Sequence, residues 1–299
     1  MFWSFYLHKM KIGLVLSNTP AKSETFFNSK IKGLQESGYE VVLFANQDEK
    51  FQFCRVIPHP KVNNIISKQL GRMMVVYGIL FIICPIISFR FLYFEKKDGV
   101  PFRTRWENLY LNNHILLEKL DWLHFGFGTM TIRRENVARA IYAKMGVSLR
   151  GYDICVYPLK HPGCYERVWD KVNKVHSISY DLLKVAKKYG LDNKIQHVII
   201  PPAIEVDQFK SKKNNLSLFN KKETVHLLTV ARLHWKKGLE YTLQALAILK
   251  EKNIAFHYTI VGDGQERERL IFAVNQMGLE DWVTFTGFIS PKDIRKYYE

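Results

Sequence analysis

Arg232 and Lys237 are the residues whose types and spacing best suit chemistry. They stand in Val230-Ala231-Arg232-Leu233-His234-Trp235-Lys236-Lys237-Gly238, where an apolar strand gives way to a short cationic loop and then to a helix. A guanidinium offers a planar fork of donors and an ammonium a compact charge. A helix N-terminus adds free N–H groups and the positive end of its dipole, and Gly238 stands where that helix begins. Together these groups suit a diphosphate and would neutralise it without a metal. On spacing alone, a solvated basic loop fits equally well.

Three further segments sit at expected strand ends. In Ile260-Val261-Gly262-Asp263-Gly264-Gln265-Glu266 two glycines let a ligand approach the backbone. Arg267 stands where a dinucleotide fingerprint needs its third glycine, so a plain tight turn fits as well. The loop after the first strand carries Ser23, Glu24 and Thr25 at the strand edge where open α/β sheets bind ligands. Glu24 also suits a first-turn carboxylate favoured by the helix dipole. In Ser148-Leu149-Arg150-Gly151-Tyr152-Asp153, Arg150 and Asp153 are the candidate catalytic side chains, and Asp153 reads equally as a cap. His124 and His176 also fall at strand ends, as bases or as structural histidines. The ten histidines show no HExxH or HxH spacing and the four cysteines no CxxC pair, so no metal or cofactor is expected. Reduced thiols in a cytoplasmic protein are expected instead.

The elements that must position these residues follow a strand–helix rhythm. Strands are expected over 12–16, 41–44, 123–125, 147–149, 174–179 and 196–200, with helices near 23–37, 106–120, 134–145 and 180–188. A polar stretch over 205–222 reads as a linker, after which strands 225–230, 256–261 and 283–285 alternate with helices 239–251 and 266–276 and a helix from Pro291. Such alternation implies α/β architecture: two Rossmann-like domains with parallel sheets, 1–204 and 223–299. The second is incomplete, because a doubly wound sheet usually needs five or six strands. The sequence is therefore expected to be C-terminally truncated or paired with a missing piece.

With 47% apolar and 24% charged residues the chain is an ordinary globular mix, neither disordered nor collagen-like. Its net charge of +16 favours an anionic partner: nucleic acid, an acidic membrane face or a phosphorylated substrate. The N-terminus lacks the cleavage site of a signal peptide. From Met73 to Phe89, 17 consecutive residues carry no charge, with Arg72 and Arg90 at the ends and Pro85 inside. A buried helix, a helix in the membrane interface and a true span all remain open.

In order along the chain, these segments resemble retaining glycosyltransferases of family four, with the GT-B fold, and most closely the subgroup of colanic-acid and exopolysaccharide biosynthesis. The resemblance runs from about Lys11 to the end. It is carried by Ser23-Glu24-Thr25-Phe26, Leu123-His124-Phe125-Gly126, Arg150-Gly151-Tyr152-Asp153-Ile154, the crossing around Pro202 and Asp207, and above all Ala231-Arg232-Leu233 with Lys237-Gly238. It implies a nucleotide-sugar donor whose diphosphate lies at Arg232 and Lys237, with the base near Gly287–Ile289 and the Ser23–Thr25 loop near the phosphates or the acceptor. Gly238, Gly262 and Gly264 join the donor-binding set. The implied reaction moves a sugar, with retention, to a glycan or lipid-linked acceptor in surface polysaccharide biosynthesis. The implied setting is cytoplasmic, at the inner face of the membrane, with an anionic membrane surface as partner and no nucleic acid. Two departures stand out. Arg150 replaces a histidine common in the family, and the family's glutamate pair would fall beyond Glu299. The competing readings are a non-catalytic basic protein of membrane surfaces or nucleic acid, and an inactive truncated pseudoenzyme.

Overall fold

A computed structural model describes residues 9–20, 25–46, 51–202, 224–290 and 293–298. The chain divides into two compact units, Met1–Ile204 and Glu205–Glu299. The linker assigned to 205–222 lies outside the described residues.

The first unit runs β1 (Lys11–Asn18), α1 (Thr25–Glu36), β2 (Glu40–Asn46), β3 (Arg55–Ile57), α2 (Ile66–Ile83), α3 (Pro85–Lys97), α4 (Phe102–Leu116) and β4 (Trp122–Phe125). It continues through α5 (Val137–Ala140), β5 (Lys144–Leu149), α6 (Gly151–Cys155), α7 (Tyr157–Lys160), α8 (Glu166–Trp169), β6 (Lys174–Ser177), α9 (Tyr180–Lys188) and β7 (Gln196–Ile199). The strands form one parallel sheet in the order β3-β2-β1-β4-β5-β6-β7. Continuous apolar runs make these strands, because a parallel sheet is buried on both faces. Alternation then divides them. Val15, Phe44, Phe125 and Val147 pack with Leu109 and Ile115 of α4, while Leu14, Leu16 and Leu43 pack against Phe27 and Ile31 of α1.

The second unit runs β8 (Val225–Val230), α10 (Leu239–Glu251), β9 (Phe256–Val261), α11 (Arg267–Gln276) and β10 (Val283–Gly287). Its parallel sheet has the order β10-β9-β8. Tyr258 and Ile260 of the central strand are buried with Leu243 and Leu246 of α10 and Leu270 of α11. The α/β class with two parallel sheets is the one the sequence implied.

Several elements differ from the sequence reading. The helix expected over 134–145 shrinks to Val137–Ala140. Arg133 and Tyr142 on either side adopt positive φ, 65° and 61°, a conformation that no helix continues through. The strand after it consequently starts at Lys144 rather than 147. The uncharged stretch is two helices, because Pro85 opens α3 and Cys84 leaves helical geometry at φ −137° and ψ 59°. The helix expected near Pro291 is a single turn, Ile294–Tyr297. Strand β3 and the short helices α6 to α8 carry too little periodicity to be read.

Candidate functional site

The second unit brings its cationic segment, its two-glycine turn and the end of β10 to one place, the carboxyl ends of three parallel strands. The backbone stitches them together: Ala231 N–H donates to Val261 O at 3.0 Å, Leu233 N–H to Asp263 O at 2.9 Å, and Gly262 N–H to Gly287 O at 2.9 Å. Leu233 is buried and pins the loop into the core. Arg232, Trp235, Lys236 and Lys237 are exposed around it.

Local geometry explains each position. His234 Nδ1 accepts from Lys236 N–H at 3.3 Å, closing the tight turn Trp235–Lys237. Gly238 follows at φ 65° and ψ 24°, a left-handed conformation that glycine adopts without cost, and redirects the chain into α10. No side chain caps that helix, so its first N–H groups stay available. Glu240 in its first turn is taken by Arg269. Among the described residues, no carboxylate pairs with Arg232 or Lys237.

Gly262 and Gly264 prove to be needed for another reason than ligand approach. A Cβ on Gly262 would lie 1.8 Å from Ala231 O, and one on Gly264 would lie 2.3 Å from Leu233 O. These glycines let the two loops touch each other. Gly287, at φ 71°, faces open space, and Ile289 follows in the loop beyond β10.

In the first unit, Ser23 and Glu24 lie outside the described residues, and Thr25 opens α1. Arg150 ends β5 with its guanidinium 4.0 Å over the Phe26 ring and 4.8 Å over Phe27, and its Nε donates to Gly126 O at 3.3 Å. Asp153 is buried, and its carboxylate accepts from Gly128 N–H at 3.0 Å. That contact ties α6 to the turn after β4, and burial keeps Asp153 from solvent.

A cavity of about 560 Å³ opens beside Arg150 on the α1 side of the sheet. Lys30 Nζ lies 2.9 Å from His124 Nε2, which lies 2.8 Å from Ser148 Oγ, which lies 2.9 Å from His176 Nδ1. His176 Nε2 contacts Ile200 O at 2.9 Å. Because a carbonyl only accepts, His176 carries its proton on Nε2 and Ser148 donates to Nδ1. Lys30 Nζ and Ser148 Oγ thus both reach the same nitrogen, His124 Nε2. Burial, reinforced by the Arg150 charge, lowers the Lys30 pKa to about 8. Burial first, then Lys30, His176 and Arg150, holds His124 well below its usual range. The sequence reading found the two histidines and missed Lys30 and Ser148. The signal was there: polar residues at alternate positions of strands β4, β5 and β6, where a doubly buried sheet should be apolar.

Among the described residues, no group of three or more His, Cys, Asp or Glu side chains is placed to hold a metal. A family profile described as "Glycosyl transferases group 1" matches residues 208–299. The putative colanic acid biosynthesis glycosyltransferase WcaL of Escherichia coli K12 is 38% identical over 311 aligned positions, covering 96% of this chain and 72% of that protein. The amylovoran biosynthesis glycosyltransferase AmsK of Erwinia amylovora is 27% identical over 187 positions, and this chain spans 43% of its length. Among solved structures, Anabaena HepE in complex with UDP-glucose superposes with a TM-score of 0.61 at 14% identity, over 96% of this chain and 71% of that one. The lipopolysaccharide outer core galactosyltransferase WaaB does so with a TM-score of 0.58 at 15% identity, over 96% and 71%.

Proposed function

The chain belongs to the group 1 glycosyltransferases, and from that premise we propose that Arg232 and Lys237 hold the diphosphate of a nucleotide-sugar donor. Its sugar passes to a glycan acceptor in surface polysaccharide biosynthesis, a reading supported by the names of WcaL, a putative colanic acid biosynthesis glycosyltransferase, and AmsK, an amylovoran biosynthesis glycosyltransferase. The observation that carries this reading is local. Among the described residues, two exposed cations without carboxylate partners flank a helix N-terminus that no side chain caps, at the carboxyl ends of three parallel strands.

The chemistry follows from that placement. When the bond between the anomeric carbon and the diphosphate breaks, negative charge builds on the leaving phosphate oxygens. Fixed cations and helix N–H groups stabilise that charge more than they stabilise the bound donor, which is what lowers a barrier. The acceptor hydroxyl forms the new bond to the anomeric carbon and gives its proton to the departing diphosphate oxygen, and the configuration at that carbon is retained. The nucleotide base lies along residues 287–289, and the 23–25 loop serves the phosphates or the acceptor. Side-chain cations take the part that a divalent metal plays elsewhere, so no cofactor is assigned. The acceptor is lipid-linked and the setting cytoplasmic, at the inner membrane face. All four cysteines are free thiols, in keeping with a reducing compartment.

Calorimetric titration with UDP and GDP tests this reading. Arg232→Ala and Lys237→Ala are each expected to weaken the nucleotide that binds by about tenfold or more, since a charge-assisted hydrogen bond contributes about 1.5–3 kcal/mol. Unchanged affinity in both variants would remove the two residues from the donor site.

A further inference from the structure

The longest helix of the first unit is apolar almost all round, yet the protein does not bury it. Along α2 only Leu80 is fully buried. One side is anchored: Tyr77 Oη donates to Trp106 O at 2.7 Å, and the Tyr77 and Phe81 rings pack on the Trp106 ring. The rest of the helix, with the outer face of α3, lies open. Ile66, Met74, Ile82, Ile83, Ile86 and Phe89 each leave 64–82% of their surface to solvent. On α3 the exposed positions Ile86, Phe89 and Tyr93 fall at i, i+3 and i+7, a single stripe. An exposed apolar surface this continuous marks an interaction site rather than ordinary surface.

The charges around it choose the occupant. Residues 51–94 contain five Lys or Arg and no Asp or Glu. Lys68 and Arg72 are exposed on the first turns of α2, and Lys96 and Lys97 on the last turn of α3. Glu95, which follows the acid-free stretch, is turned inward and buried, accepting from Asn108 and Asn136. An apolar stripe bounded by cations, with an aromatic ring at its margin, matches the headgroup region of an anionic bilayer. A second copy of the chain fits badly, because a symmetric pairing would set one cationic rim against another. A span fits no better. After Arg72 the helix offers only residues 73–83, about 16 Å at 1.5 Å per residue, against a hydrocarbon core of about 30 Å.

We infer that the consecutive helices α2 and α3 dock the protein on an anionic lipid surface, with Ile82, Ile86 and Phe89 entering the acyl boundary and Lys68 and Arg72 meeting the headgroups. The inference needs no part of the transfer chemistry and stands or falls separately from the donor site.

Co-sedimentation with vesicles tests it. The wild-type chain is expected to pellet with vesicles of phosphatidylcholine containing one-third phosphatidylglycerol, and far less with phosphatidylcholine alone. The triple substitution Ile82→Glu, Ile86→Glu, Phe89→Glu is expected to lower vesicle affinity by about a hundredfold, since each charged replacement both removes apolar contact and repels the anionic surface. These side chains are exposed, so unchanged thermal unfolding should accompany the loss. Lys68→Glu with Arg72→Glu should abolish the preference for phosphatidylglycerol. Equal sedimentation of wild type and triple variant would overturn the inference. So would a wild type that ignores anionic vesicles but elutes as a dimer that the triple variant makes monomeric.

Discussion

Four histidines of the first unit share one condition: burial, as the leading cause, lowers the pKa of each. They are His59, His114, His124 and His176, and for His114 the value falls to about 3 from an ordinary 6.5. His114 lies edge-on to Phe44 and beside His59, whose second nitrogen contacts Leu16 O at 2.6 Å. Below pH 6.5 the unfolded chain takes up protons that the folded chain refuses, so stability is full above that pH and falls as pH drops toward 3. Urea titrations run downward from pH 7 should show a midpoint that declines steadily below 6.5. His114→Asn should cost about 1–2 kcal/mol at pH 7 through lost packing, yet fall less steeply on acidification. A variant with the wild-type slope would show that other groups carry the acid lability. At this scale the sequence was legible where neighbours in the chain act together. Arg232, Lys237 and Gly238 fall within one short segment. The Lys30–His124–Ser148–His176 array was illegible, because its members meet only after four separate segments have been laid side by side. The purpose of Gly262 and Gly264 was half legible: the turn was plain, but that the neighbouring loop fills it was not.

At the scale of the element, strands were easy to place and helices less so. Continuous apolar runs leave few alternatives for a parallel strand, whereas the helix over 134–145 failed on two residues with positive φ that no periodicity reveals. Pro85 was visible as a break, but which side of the helices faces water follows from packing on α4, not from composition. Capping offers a test of a well-formed element. Ser179 precedes α9, and its Oγ accepts from Leu182 N–H at 3.2 Å. Ser179→Ala should destabilise the first unit by about 1 kcal/mol, read from the urea midpoint at constant slope. Ser179→Gly should cost only a few tenths of that. Equal losses in both variants would mean that the hydroxyl serves the loop rather than the helix.

Across the whole molecule the two units differ in how thoroughly they protect their strands. Strand β1 has four consecutive buried residues and β5 five, whereas β8, at one side of the second sheet, has none that is fully buried. Amide exchange should therefore be faster along β8 and β10 than along β1, β2 and β5, with β9 intermediate. Binding of a nucleotide at Arg232 and Lys237 should slow exchange in 231–239 and 262–264 while leaving β1 untouched. Uniform protection across both sheets would contradict the unequal burial. The order of strands in the first sheet has a consequence for synthesis. Strand β1 lies between β2 and β4, and the bond from Lys11 N–H to the Asp121 carboxylate closes a separation of 110 residues. At about 5–20 residues per second, a ribosome takes roughly 5 to 20 seconds to deliver that partner. Late in that interval the oily α2–α3 pair has emerged while the platform it leans on is unfinished. The nascent chain is thus stickiest in mid-translation, when a nearby bilayer or a chaperone is best placed to shelter it.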